Sequence, residues 1–124
     1  MAYEITFRDG ILCIVYTGTL DARDFDRLAN ELSKLEQELP VTPSRLSDLS
    51  PCNRIDLDFA AMMAFTANKR TSPPKNPIKS ALVAANSTQY GFARMFSALE
   101  EHPDIEIQIF PDADAAWAWL TAPV

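Results

Sequence analysis

Few residues of this chain are of types that do chemistry, and their spacing argues mostly against catalysis. His102 is the only histidine. It precedes Pro103 at the end of a helical stretch, where an imidazolium suits the helix dipole. No Ser, Cys or carboxylate stands near it in the arrangement a general base requires. Cys13 sits within an apolar run and reads as an inert core thiol, while Cys52 sits in a loop where it could be exposed. CxxC, HExxH, Walker and GxGxxG patterns are absent, and three glycines are too few for a phosphate cradle of that kind. The sequence therefore predicts no catalytic residue and no cofactor.

Three groupings remain as candidate sites. Asp48, Asp56 and Asp58 fall where a strand ends and a helix begins. Ligands favour the carboxyl ends of parallel strands, and three carboxylates there suit a hard cation such as Mg²⁺. Turn and capping roles are the plainer reading, and the sequence predicts no metal site. Lys69, Arg70, Lys75 and Lys79 place four of the 11 basic residues around a proline-rich loop. They could attract a phosphate, a lipid head group or an acidic partner, or simply be solvated. Phe59, Met62, Met63 and Phe65 crowd one helix with large apolar side chains. They read as core filling or as an adaptable wall for an apolar ligand, with Arg70 or Lys75 at its mouth.

The elements that must position these groups are legible from periodicity. Residues 1–8 alternate apolar and polar as a half-buried strand. Asp9-Gly10 is a type I′ hairpin signal, and the apolar run from Ile11 to Tyr16 is a more deeply buried strand. Asp21 to Leu39 is an amphipathic helix capped by Thr19 or Asp21. Ser44 to Leu49 is a short polar strand, followed by a loop through Pro51, Cys52 and Asn53. Asp56 is expected to cap a helix from Leu57 to Lys69, and Thr71 to Pro77 must be a loop. Lys79 to Ala85 is a buried strand. A helix from Gln89 to Glu101, capped by Ser87 or Thr88, follows it. Asp104 to Phe110 is an alternating strand and Ala113 to Thr121 a terminal helix. The predicted order is β-β-α-β-α-β-α-β-α. Strands alternating with helices imply an α/β fold, here a mostly parallel five-stranded sheet with an antiparallel first strand.

Size and composition agree with one such domain over residues 1–124. The 13.8 kDa chain is 48% hydrophobic and 23% charged, which excludes wholesale disorder. A formal charge of −6 argues against nucleic acid, whose phosphates select basic proteins. No apolar run approaches the ~20 residues that span a bilayer. The first residues do not follow the plan of a signal peptide, so a cytoplasmic location is expected. Helices confined mostly to one sheet face would leave apolar surface uncovered, which implies a homodimer.

Four stretches of the C-terminal half carry a resemblance: Ser80 to Asn86, Tyr90 to Phe96, Ile107 to Asp112, and Ala115 to Leu120. Together they resemble the SpoIIAA-like family, small bacterial domains related to the STAS domain and compared with CRAL-TRIO lipid-binding folds. Tyr90, Gly91, Ala93, Arg94 and Met95 match a Tyr-Gly-x-Ala-Arg-Met element. Phe110, Ala116, Trp119 and Leu120 match the family's ending. The STAS likeness implies a non-catalytic regulatory or protein-interaction module. The CRAL-TRIO likeness implies the alternative, a carrier or sensor of a small apolar or lipid-like ligand. STAS regulators carry Asp-Ser-Ser-Gly at a helix start, where the first Ser accepts phosphate. The corresponding stretch here is Asp56-Leu57-Asp58-Phe59, so the resemblance implies a domain without that phosphorylatable Ser.

Overall fold

The structure, a computed structural model, describes residues 2–70 and 73–123, without the side chains of residues 68–70. In chain order the elements are β1 (Tyr3–Arg8), β2 (Ile11–Tyr16), β3 (Gly18–Asp21), α1 (Ala22–Glu38), β4 (Arg45–Asp48) and β5 (Cys52–Asp56). There follow α2 (Phe59–Arg70), β6 (Ile78–Val83), α3 (Ser87–Leu99), β7 (Ile105–Phe110) and α4 (Ala113–Thr121). The main sheet has five strands in the order β1-β2-β4-β6-β7. Only β1 runs antiparallel to its neighbour. This is the expected α/β fold.

The β1–β2 hairpin closes as its dipeptide dictates. Asp9 and Gly10 both hold positive φ, +51° and +79°, the left-handed pair of a type I′ turn. The tight turn fixes the register Arg8 to Ile11 and Tyr3 to Tyr16. Tyr3, Leu12, Ile14 and Tyr16 therefore share one face. That face carries the larger core, to which α1 gives Phe25, Leu28, Ala29 and Leu32, α2 gives Met62 and Phe65, and α3 gives Ala93 and Phe96. The opposite face carries a smaller core of Ile11, Leu46, Ala81, Val83 and Ala116, completed by Trp117, Trp119 and Leu120 of α4.

Two short strands were not expected. β3 and β5 pair in parallel as a separate two-stranded ribbon. The expected loop through Cys52 and Asn53 is therefore partly strand, with Cys52 buried rather than exposed, and Asp56 ends β5 instead of capping α2. The cap is Asp58, whose carboxylate accepts the Ala61 amide at 2.8 Å. The ribbon escapes sequence reading because β5 is exposed at most positions and has no apolar alternation. What makes it a strand is pairing with a distant partner. Capping elsewhere follows local chemistry. Asp21 and Asp24 form a reciprocal capping box on α1. Asn86, one residue before the expected Ser87, caps α3 through the Gln89 amide at 2.9 Å.

Candidate functional site

The residues nominated from sequence are dispersed by the fold, and the dispersal is informative. On α2, Met62 and Phe65 turn inward. Phe65 stacks on Phe25 of α1 with ring centroids 4.2 Å apart, and Phe96 of α3 closes the cluster at 5.5 Å. Phe59 and Met63 turn outward and are 54% and 48% exposed. The four therefore do not form one ligand wall. Two belong to the core, and two head an outer face that Ala60, Ala64 and Ala67 continue. A 3.6-residue repeat divides them this way, since positions 59 and 63 are one turn apart while 62 and 65 lie on the other side. Beside the outer face runs an open groove lined by Ala22, Arg23 and Asp26 of α1 and by Ala61, Ala64 and Phe65 of α2.

The core beneath α1 and α3 holds a cavity of about 20 Å³, lined among others by Tyr16, Phe25, Ser47, Phe92 and Phe96. That is room for about one water molecule and far too little for an acyl chain. Tyr16 is fully enclosed there. Burial raises its phenol well above the ordinary range, the nearby Glu100 carboxylate adds to the rise, and a hydrogen bond with Ser47 opposes it.

The basic residues around the proline loop prove to be structural where they are described. Lys75 donates its ammonium to the carbonyls of Glu36 and Gln37, both at 3.3 Å, and to that of Leu39. These are the terminal carbonyls of α1, a helix with no basic residue in its own last turn. Lys79 does the same for α4, donating to the Trp119 carbonyl at 3.1 Å while lying over the Trp119 ring. A cation at a helix C-terminus satisfies open carbonyls and opposes the dipole. The loop itself is stitched to the segment after α1: Thr42 N–H donates to the Asn76 side chain at 2.8 Å, and Asn76 Nδ2 donates back at 3.0 Å. Lys75 thus caps a helix. The Arg70 side chain lies outside the described residues.

The acidic trio also separates. Asp48 accepts the Ser50 amide at 2.9 Å and the Ser50 hydroxyl at 2.6 Å, closing the turn after β4. Asp58 caps α2, and Asp56 ends β5 opposite Asp21. Among the described residues no three His, Cys, Asp or Glu side chains gather closely enough to hold a metal ion.

Gln89, which sequence reading passed over, anchors this end of the molecule. Its side chain is buried and fully used. Nε2 donates to the Leu49 carbonyl at 2.7 Å and to Cys52 at 3.2 Å, while Oε1 accepts the Ala85 amide at 2.7 Å. It ties the turn between β4 and β5 to the start of α3 and so sets the path of β5 into α2. The Asn86-x-x-Gln89 spacing, that of a capping box, was the available signal.

A scan of protein-family models finds no match, and a comparison with curated proteins finds none. Solved structures do match over almost the whole chain. An uncharacterised protein of the DUF3478 family with a SpoIIAA-like fold, from Shewanella loihica PV-4, superposes with a TM-score of 0.66 at 17% identity, over 96% of this chain and 92% of that one. The anti-sigma factor antagonist SpoIIAA in its unphosphorylated form gives 0.62 at 9% identity, over 98% and 100%. The Bacillus cell fate determinant SpoIIAA in its phosphorylated form gives 0.57 at 12%, over 95% and 98%. The chain therefore has a SpoIIAA-like, STAS-type fold. Among its described residues, no helix is long and apolar enough to cross a membrane.

Proposed function

We propose that this chain is a non-catalytic protein-interaction module of the STAS-like type, working in the cytoplasm without a phosphoswitch. The observation that carries the reading is the outer face of α2. Phe59 and Met63 stand half exposed just beyond Asp56-Leu57-Asp58, the stretch that the family resemblance sets against the phosphorylated segment of STAS regulators. A module of this kind needs an exposed apolar surface on a rigid element, and a helix locked to the core through Phe65 and Met62 provides one. Leu57 offers no hydroxyl, and a phosphate beside Asp56 and Asp58 would meet like charges. Ser47 is buried and bonded to Tyr16, which leaves Ser50 as the exposed hydroxyl of the preceding turn. The cavity beside the Phe25–Phe65–Phe96 cluster holds about one water, too little for an apolar ligand, which favours the module over a carrier.

Quantitative affinity enrichment from the source organism tests the reading. Proteins retained by the wild type and by Lys34→Glu, but lost with Phe59→Glu, are the expected result. Enrichment unchanged by Phe59→Glu overturns α2 as the docking face. A mass increase of roughly 80 Da mapping to Ser50 and altering that enrichment overturns the absence of a switch.

A further inference from the structure

We infer that β1 pairs with β1 of a second copy of this chain, antiparallel about a two-fold axis at Thr6, so that the two main sheets join into one. β1 is the outermost strand of its sheet, and among the described residues no strand lies beyond it. The direction of its main-chain groups follows from the hairpin. A two-residue type I′ turn closes on a hydrogen-bonded pair, here Arg8 and Ile11, and bonded pairs then recur at every second residue. Thr6 and Glu4 therefore bond inward to β2. The Ala2 carbonyl, which accepts the Thr17 amide at 2.8 Å, keeps the same alternation. The amides and carbonyls of Tyr3, Ile5 and Phe7 then point away from the sheet. Natural edge strands are commonly closed off by a proline or a bulge. β1 has neither, pairs with β2 without a register shift, and leaves the Phe7 ring 50% exposed.

Such an edge accepts any extended segment, and its side chains select a second copy. Glu4, Thr6 and Arg8 share one face of β1, and all three are exposed. Among the described residues neither Glu4 nor Arg8 is ion-paired. Turned about Thr6, Glu4 of each copy stands opposite Arg8 of the other, and the two Thr6 side chains meet on the axis. On the other face Ile5 stands opposite Phe7. That pair exchanges both main-chain hydrogen bonds, because both residues point theirs outward. Glu4 and Arg8 fall in the non-bonded pair, where opposed side chains come closest. Opposite charges and threonine pairs are favourable neighbours there. The Arg8 guanidinium stacks 4.3 Å from the centre of the Trp117 ring, which steadies it and leaves its N–H edge open to a carboxylate. Other centres fit less well. An axis at Glu4 sets acid against acid. One at Ile5 leaves each charge facing an uncharged residue, and one at Phe7 sets Ile5 against Asp9 of the turn. β7, at the opposite edge, carries Glu106 and no base, so two copies of it have no such match. A pattern that matches itself is what an isologous two-fold contact requires. One strand per copy is a small interface, below roughly 1,200 Å² in total. The formal charge of −6 on each copy opposes it, so the dimer is weak and concentration-dependent. It uses no residue of α2 and stands apart from that helix as a docking face.

Sedimentation velocity from low micromolar to several hundred micromolar protein, at physiological salt, reads the mass directly. The wild type is expected to move from 13.8 kDa toward twice that mass as concentration rises. Phe7→Pro removes an outward amide and takes no bond from β2, and it is expected to remain monomeric. Two charge variants test the register without touching the backbone. Glu4→Arg makes the exposed face of β1 basic at both ends, and Arg8→Glu makes it acidic at both ends. Each alone should dimerise at least about five-fold more weakly, and an equimolar mixture should recover wild-type affinity or better. Matching thermal melts in dilute protein establish that the variants are folded. Phe59→Glu, on α2, is expected to dimerise as the wild type does. A wild type monomeric at every concentration, or a mixture no tighter than its components, overturns the proposal. So does a dimer that survives Phe7→Pro or is lost with Phe59→Glu. Species that grow past the dimer, the mark of β1 adding to β7 of the next copy, overturn the closed two-fold.

Discussion

Arg45 and Glu100 approach to 3.6 Å with side chains only 6% and 5% exposed. Arg45 opens the middle strand of the sheet and Glu100 caps the end of α3, so the pair joins sheet to helix from inside. Removing one member of a buried pair leaves the other charge in a medium that solvates it poorly. Glu100→Gln should therefore lower unfolding free energy by roughly 3–5 kcal/mol in urea titrations, and Arg45→Met with Glu100→Leu should lower it less. A single variant within 1 kcal/mol of wild type, on the scale of an exposed pair, would show the pair to be unimportant. Tyr16, beside the pair, gives a pH signature. Its folded pKa is raised above the ordinary 10.0 by burial first and by Glu100 second. A raised folded pKa means the stabilisation is complete below pH 10. It is lost above that, as the unfolded phenol ionises while the folded one keeps its proton. Thermal midpoints should fall along that alkaline limb, and Tyr16→Phe should flatten the fall.

At the level of elements, Gln89 has the widest reach. One side chain makes three hydrogen bonds that hold β4's exit turn against α3. Replacing it with Ala takes this partner from the Ala85 amide and the Cys52 carbonyl, at roughly 1–3 kcal/mol each if left unpaired, while the Leu49 carbonyl keeps the Cys52 amide at 2.8 Å. Amide exchange across Cys52–Asp56 should accelerate in Gln89→Ala while β1 and β2 keep their protection. An unchanged exchange pattern would mean that pairing with β3 alone holds the ribbon. The same elements show what a reader of the sequence could see. Hairpin, helices and outer strands announced themselves through periodicity, a Asp-Gly turn and short polar caps, because those signals are local. β4 was the faintest strand, yet it is central: its buried positions hold Arg45 and Ser47, whose partners Glu100 and Tyr16 come from distant elements. Pairing of β3 with β5 was invisible for the same reason.

For the molecule as a whole, α2 has one side in the core and one side facing out, and the two sides should respond differently to substitution. Phe65→Ala removes a ring packed between Phe25 and Phe96 and should cost about 3–5 kcal/mol. Phe59→Ala should change stability by less than about 0.5 kcal/mol in dilute protein. Equal losses in paired denaturant titrations would contradict the division of faces. Of the candidate site, the sequence revealed an apolar-rich helix of the right length but not its split. Met and Phe are equally apolar on either side, and which side is buried depends on α1 and α3. The basic cluster misled for a related reason. Charge and spacing are readable, whereas the carbonyls that Lys75 and Lys79 meet belong to α1 and α4.

Those two lysines make the amines of this protein chemically unequal. Lys34 lies exposed on the solvated side of α1, open to an acylating reagent, whereas the ammonium groups of Lys75 and Lys79 donate hydrogen bonds to carbonyl oxygens. Acetylation at Lys34 would leave the fold as it is. At Lys75 it would release the end of α1, and at Lys79 the end of α4. An acylating agent, enzymatic or adventitious, would thus act on this molecule as a slow denaturant at two addresses and as a harmless label at the third.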